Sequence, residues 1–178
     1  MKKILIVICA VLLFAGCSCS MNDNKPDEAV NTFFEKYRSK DDDIITQLKD
    51  TIENEGLKES AKEKYEDLMK KQYDQFAYVI KDTKEEKDTA TVTVELTVLN
   101  YRSAILKAEE ELKSNPSKFN DDSGNFSEEK YMDYKIEQME KVTDTTTHTI
   151  ELSLTKKAGI WKVDELSGDD ISKLHGLY

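Results

Sequence analysis

The sequence predicts an α+β domain in which N-terminal helices pack against an antiparallel sheet. Two observations lead to this fold class. Apolar residues recur at helical spacing between residues 24 and 76, and strict two-residue alternation appears in two later segments. Helices that precede strands joined by short polar turns are typical of α+β proteins.

The first predicted helix covers residues 24–38 and has clear start signals. Asn24 or Lys25 stands at its cap and Pro26 at its first position, where a proline loses no hydrogen bond by lacking an N–H. The apolar side chains of this helix share one stripe and are Val30, Phe33, Phe34 and Tyr37.

Two further helices and two hairpins are predicted after the first helix. Asp43 can cap the second helix, which ends near Gly56. A helical excursion then separates the two hairpins. In chain order the predicted segments are a third helix at 57–74, strands at 77–82 and 89–99, the excursion at 100–143 with a helix at 127–141, strands at 145–155 and 160–166, and a short capped helix after residue 167.

The N-terminal residues have the pattern of a secretory leader. Lys2 and Lys3 precede twelve uncharged residues, and a helix of that length spans roughly 18 Å, well short of the ~30 Å hydrocarbon core. The segment therefore predicts a removable signal peptide at residues 1–16. We expect a tether at residues 17–25 and one domain at residues 26–178.

The end of this leader, Phe14-Ala15-Gly16-Cys17, resembles the lipobox of bacterial lipoproteins, with Phe14 where leucine is usual. The resemblance implies cleavage before Cys17 and a diacylglycerol thioether on its sulfur. Two acyl chains suffice for stable anchoring, so the domain would be tethered to the outer face of the cytoplasmic membrane. The alternative is an ordinary secretory leader in which Cys17 and Cys19 are incidental thiols. With Cys9 removed and Cys17 acylated, Cys19 has no disulfide partner.

The composition excludes several classes of protein and of partner. Hydrophobic residues make up 38% and charged residues 35% of the chain, which has two prolines and six glycines, so collagen-like and fully disordered classes are excluded. The net charge is −10 and becomes two units more negative when the leader is removed. A surface this acidic repels nucleic acid.

The element order, the Thr/Val strand at 89–99 and the run Trp161-Lys162-Val163-Asp164 resemble small Gram-positive lipoproteins with a nuclear-transport-factor-2-like, or cystatin-like, domain of unknown function. The resemblance implies a curved sheet that forms a cone around the first helix and a pocket inside it. The candidate pocket residues are Phe33, Phe34, Tyr37 and Trp161. Core packing of the same side chains is the alternative.

A second candidate surface is the predicted helix at 127–141. It carries Tyr131, Met132, Tyr134 and Met139, and Met and Tyr on an exposed helix face are typical of protein-binding surfaces. Packing of this helix into the core is again the alternative.

The sequence holds no recognisable catalytic, metal or cofactor motif. The acidic runs at 41–43 and 120–125 lack EF-hand spacing, because placing Gly124 at loop position six puts Lys130 at position twelve. His148 lies on a predicted strand, and His175 lies in a tail that we expect to fray. Since there is also no glycine-rich phosphate loop, we expect no metal and no cofactor.

The leading functional hypothesis is a non-enzymatic, lipid-anchored binding module whose partner is another envelope protein or a small apolar ligand. Two alternatives stay open. A small enzyme could use a pocket between the first helix and the sheet, for which His148 beside a buried carboxylate would be expected. A structural spacer would instead present an accessible helix at 127–141 and hold no cavity.

Overall fold

The computed structural model describes residues 25–54 and 57–178. The predicted leader, the lipidation residue Cys17, residues 17–24 of the tether and the helix end at Gly56 lie outside these ranges. The described elements are α1 (Pro26–Arg38), α2 (Asp42–Asn54), α3 (Glu59–Gln75), β1 (Ala77–Glu85), β2 (Thr89–Leu99), α4 (Tyr101–Ser114), a 3₁₀ turn (Pro116–Phe119), α5 (Glu128–Glu140), β3 (Thr145–Lys157), β4 (Ile160–Val163) and α6 (Gly168–Leu174).

This order confirms the predicted α+β class, with helices before the sheet and a helical excursion between two hairpins. Pro26 occupies the first turn of α1, as expected. The prediction that Asp43 caps α2 is wrong, because the Asp43 amide donates to the Asp41 carboxylate at 3.1 Å. The capping side chain therefore belongs to Asp41, one residue before the helix begins.

The four strands form one open antiparallel sheet in the order β1-β2-β3-β4. One face is apolar and covered by helices. Alternate residues of β2 from Ala90 to Val98 are buried, and Ile150, Leu152 and Leu154 of β3 continue that face. The other face carries threonines and is solvated, as expected for an antiparallel sheet with a single covered side. Helix α1 contacts β1, β2 and β4.

A buried glutamine joins the helical layer to the sheet. Gln72 of α3 is the buried polar side chain of the described core. Its Oε1 accepts from the Leu99 amide at 2.9 Å, and its Nε2 donates to the Leu174 carbonyl at 3.0 Å. Both bonds lie in the interior, where an unpaired polar group is costly. The side chain therefore ties the end of β2 to the end of α6.

The C-terminal tail is docked, contrary to the expectation that it frays. The Arg102 amide donates to the Gly176 carbonyl at 2.8 Å, and His175 Nε2 lies 3.0 Å from the Tyr73 hydroxyl. The expectation failed because it considered chain position alone, whereas tertiary hydrogen bonds fix this tail.

Candidate functional site

A surface groove of about 720 Å³ opens between α1 and β4. We call it the α1–β4 groove. It is lined by Lys25, Glu28, Ala29, Thr32, Phe33, Lys36, Ile160, Trp161, Lys162 and Val163.

The lining follows from the geometry of the two elements. The α1 residues recur three and four apart and therefore form one stripe of the helix, beside the stripe of Val30 and Phe34 that is buried in the core. All four residues of β4 contribute. Because successive strand side chains point to opposite faces, a groove bordered by four consecutive residues runs along the edge of that strand. Strand β4 is an edge of the sheet.

The groove has an apolar floor. Trp161 is buried and Phe33 is half-buried, while Ile160 is 58% exposed. The Phe33 ring is held in edge contact with the rings of Phe34 and Tyr37, each at 5.3 Å between centroids. The Lys156 ammonium lies 5.0 Å from the Trp161 ring. Packing from behind therefore fixes the floor, and its exposed apolar surface belongs to Ile160 and Phe33.

The rim of the groove is basic although the chain is acidic. Lys25, Lys36 and Lys162 line it together with one carboxylate, Glu28. Within residues 25–54 and 57–178, no salt bridge involves Lys36 or Lys162. In a chain of net charge −10, the described lining thus has two more positive than negative side chains, a balance that favours an anionic group.

The structure separates the four predicted pocket residues into two pairs. Phe33 and Trp161 line the α1–β4 groove. Phe34 and Tyr37 lie in the core instead, where the Phe34 ring is 4.4 Å from that of Tyr78 and burial raises the pKa of Tyr37. The reason is the rotation of α1, which turns Phe34 toward Tyr78 of β1 and Tyr37 toward Tyr73 of α3 and leaves Phe33 at the boundary.

The predicted interaction helix corresponds to α5, and its candidate residues do not share one exposed face. Met139 is fully buried. Tyr131 and Tyr134 pack edge-on against the buried Phe119, each at 5.4 Å. Met132 is half-buried and borders a smaller pocket of about 330 Å³ between the start of α3 and α5. Helix α5 turns its buried face toward α3 and α4, both of which it contacts.

The two histidines do not line the groove, and no carboxylate contributes to the pKa shift of either one. His148, on the inward face of β3, contacts the Tyr178 ring at 5.8 Å, and burial together with the nearby Lys173 charge lowers its pKa. Burial lowers the pKa of His175 to about 4. Neutral histidine is then the stable form near pH 7, and His175 Nε2 shares a hydrogen bond with the Tyr73 hydroxyl.

Metal-ligand clusters and membrane-spanning helices are both absent from the described residues. No group of three or more His, Cys, Asp or Glu side chains in that part of the chain could hold a metal ion. None of the helices between residues 25 and 178 that the structure describes is both long and apolar enough to cross a membrane.

Sequence reasoning missed the basic rim and the role of the β4 edge. Lysines occur throughout the chain, so a lysine at position 36 or 162 does not by itself indicate a binding site. The spacing of Lys25, Ala29 and Lys36 along α1 places them on one side of the helix, but only the position of β4 makes that side a groove.

Comparisons with known proteins give one structural likeness. The crystal structure of ycdA, a candidate lipoprotein from Bacillus subtilis, matches with a TM-score of 0.47 and 18% sequence identity. The match covers 84% of this chain and 46% of that one, so the chain spans about half the length of this neighbour. No protein-family model matches the chain, and no curated protein matches it.

Proposed function

We propose that this chain is a lipid-anchored, extracytoplasmic binding module whose α1–β4 groove holds a small apolar ligand with an acidic group. The observation that carries the proposal is the groove itself. Its volume of about 720 Å³ falls within the range of small-molecule sites, roughly 300 to 1,000 Å³, which are mostly apolar with a few polar groups.

The apolar floor and the basic rim would contact different parts of the ligand. Phe33, Ile160 and Trp161 would contact its hydrocarbon part, and burial of apolar area would supply most of the binding free energy. Lys36 and Lys162 would stand beside its acidic group. A neutral ligand of the same shape would keep the apolar burial and would lose only the interaction with Lys36 and Lys162.

The anchoring part of the proposal rests on the sequence. The leader at 1–16 and the lipobox-like residues Phe14 to Cys17 support acylation of Cys17 and a location on the outer face of the cytoplasmic membrane. The tether at 17–25 would end at Lys25, which lines the groove. The ligand site would thus open close to the membrane surface.

We propose further that the module is not an enzyme and that its domain is of the nuclear-transport-factor-2-like, or cystatin-like, kind. Among the residues that the structure describes, the groove lining has no histidine, cysteine or aspartate, which supports binding without chemistry. The contacts of α1 with both edge strands, β1 and β4, support a sheet that curls around the first helix. An experimental structure with a flat sheet would contradict that assignment.

The single tryptophan of the chain makes the groove directly testable, because Trp161 lines it. We expect titration with dodecanoic acid, below its micelle concentration, to change Trp161 fluorescence in a saturable way. We expect dodecanol to bind more weakly. Ile160→Asp, which places a negative charge on the floor, should weaken binding of the acid by at least about tenfold.

Val79→Asp is the matched control for this substitution. Val79 lies on the other edge strand, β1, and is 56% exposed against 58% for Ile160. The Val79→Asp variant should bind dodecanoic acid as the wild type does. The absence of saturable binding in the wild type, or equal losses in the two variants, would reject the groove as a ligand site.

The lipid anchor is tested by metabolic labelling with an alkyne fatty acid. We expect label on the wild-type chain and on Cys19→Ala, and none on Cys17→Ala. Equal labelling of Cys17→Ala and wild type would show that the anchoring proposal is wrong.

A further inference from the structure

Strand β3 has an open outer edge along more than half of its length. β4 pairs only with the last four residues of β3, from Leu154 to Lys157, and the Asp164 amide then donates to the Ser153 carbonyl at 2.8 Å. From residue 145 to residue 152, the strand that pairs with β3, among the described residues, is β2 alone. Of the described elements, only β2 and β4 lie extensively against β3.

Two hydrogen bonds fix which backbone groups point to this edge. The Lys156 amide donates toward β2, to the Asp88 carbonyl at 2.9 Å, whereas Ser153 accepts on the opposite side, from Asp164. Because these directions alternate along an antiparallel strand, the odd-numbered residues Thr147, Thr149 and Glu151 point outward. Nothing in residues 25–54 and 57–178 bonds to their backbone N–H or C=O groups.

The other sheet edges carry the protections that keep strands from pairing with another chain. β1 has a register shift between Ile80 and Asp82 and charged residues at Lys81 and Lys84. β4 is only four residues long. In contrast, the open stretch at residues 145–152 has one Asp or Glu residue, Glu151, and no Lys or Pro, in a chain that is 35% charged. An unprotected edge of β-branched residues is a template for a further strand.

We propose that a second copy of this chain pairs with this edge, β3 against β3 and antiparallel, to give a continuous eight-stranded sheet across a twofold axis. This inference goes beyond the ligand-binding proposal and is independent of the groove.

The open edge of β3 can pair with the same edge of a second copy in one register. With His148 opposite the partner's His148 on the axis, Thr147 faces the partner's Thr149 and Glu151 faces the partner's Thr145. Every outward residue then meets an outward residue, so their N–H and C=O groups bond in pairs. Cross-strand Thr pairs are favourable, and the two Glu151 carboxylates remain far apart.

The two ends of the open stretch fit the same register. The chain leaves the strand line before Thr145, where the Asp144 carbonyl accepts from the Asn100 amide, and Asp164 covers the edge at Ser153. A partner strand in this register occupies residues 145–151 and turns away before it reaches Asp164. Near the axis, Tyr178 is 55% exposed above His148, and aromatic residues are enriched at protein interfaces.

Disulfide cross-linking of the full chain in membranes tests the pairing. In the proposed register His148 faces its counterpart in a non-hydrogen-bonded pair, with Cα atoms about 4.5 Å apart, which a disulfide can span. We expect His148→Cys to form a cross-linked dimer on mild oxidation. The wild type reports background from Cys19, and Thr93→Cys, on central strand β2, is the matched control. Neither should exceed that background.

A second measurement does not depend on the His148 variant. Light scattering of the full chain in detergent should give a dimer for the wild type and for Thr93→Lys, and a monomer for Thr149→Lys, which places a charge on the edge. A higher ionic strength should strengthen the dimer, because two strongly acidic chains repel each other less when screened.

The proposal fails if the wild type is monomeric at all concentrations. It also fails if Thr149→Lys dimerises like the wild type or if a different polypeptide is cross-linked to His148→Cys.

Discussion

At the scale of single residues, Gln72 has the widest structural role of the described polar side chains. It is fully buried and bonds both to the end of β2 and to the end of α6. Its neighbour Tyr73 bonds to His175, and the Tyr101 hydroxyl donates to the Leu68 carbonyl at 3.0 Å, where burial raises the Tyr101 pKa to about 12. Polar side chains of α3 and α4 therefore fix how the helices meet the sheet.

Gln72→Leu should destabilise the protein by about 3 kcal/mol, because it leaves the Leu99 amide and the Leu174 carbonyl buried without partners. Urea denaturation followed by circular dichroism measures this. Gln75→Leu, an exposed position of the same helix, is the control and should change stability by less than about 0.5 kcal/mol. Equal effects of the two substitutions would contradict the assigned role of Gln72.

At the scale of elements, α6 is held by its end as well as by its side chains. The helix has seven residues, too few to be stable alone. The chain after it turns through Gly176, whose φ is +71° and whose missing side chain gives room to the Leu99 carbonyl. A Cβ at this position would overlap that oxygen. The docking of α6 therefore requires glycine here.

Gly176→Ala should undock α6 and destabilise the protein by several kcal/mol. Gly124→Ala is the matched control, because Gly124 also has a positive φ, +85°, but nothing lies near its Cβ position. The control should cost only about 1 to 2 kcal/mol from the backbone conformation. Denaturant midpoints of both variants give the difference, and a similar cost for both would show that close packing at Leu99 is unimportant.

At the scale of the whole molecule, the two neutral histidines make folding sensitive to acid. Burial lowers the pKa of His175 from 6.5 to about 4 and also lowers that of His148. Between pH 6.5 and 4 the unfolded chain binds more protons than the folded chain. The contribution of the neutral histidines to the free energy of unfolding is therefore fully present above pH 6.5 and is lost as the pH falls toward 4.

His175→Gln should remove much of this acid sensitivity, because glutamine stays neutral. The His175 contribution amounts to up to about 3 kcal/mol between pH 7 and pH 4. Urea midpoints of the wild type and the variant at both pH values isolate it from the carboxylates that the two proteins share. His148→Gln should have a smaller effect in the same direction. Parallel pH profiles for wild type and His175→Gln would contradict the burial of a neutral His175.

The sequence by itself determined the features that depend on local periodicity. Residues 89–99 were predicted as one strand with both ends correct, because alternation, β-branched content and the polar turn before it coincide. The start of α1 at Pro26 and the helical excursion between the hairpins follow from equally local signals. The leader and Cys17 are likewise sequence features, and their roles remain predictions.

The tertiary structure decided which face of each element meets another element. Periodicity places Phe33 and Phe34 on one stripe of α1 but cannot say which ring the sheet covers. The strand predicted at 160–166 ends at Val163; the Asp164 amide makes one more bond to β3, at Ser153, and Leu166 then packs against the core. That early end leaves the β3 edge open. Such features depend on contacts between residues far apart in the chain, and local patterns carry no information about those contacts.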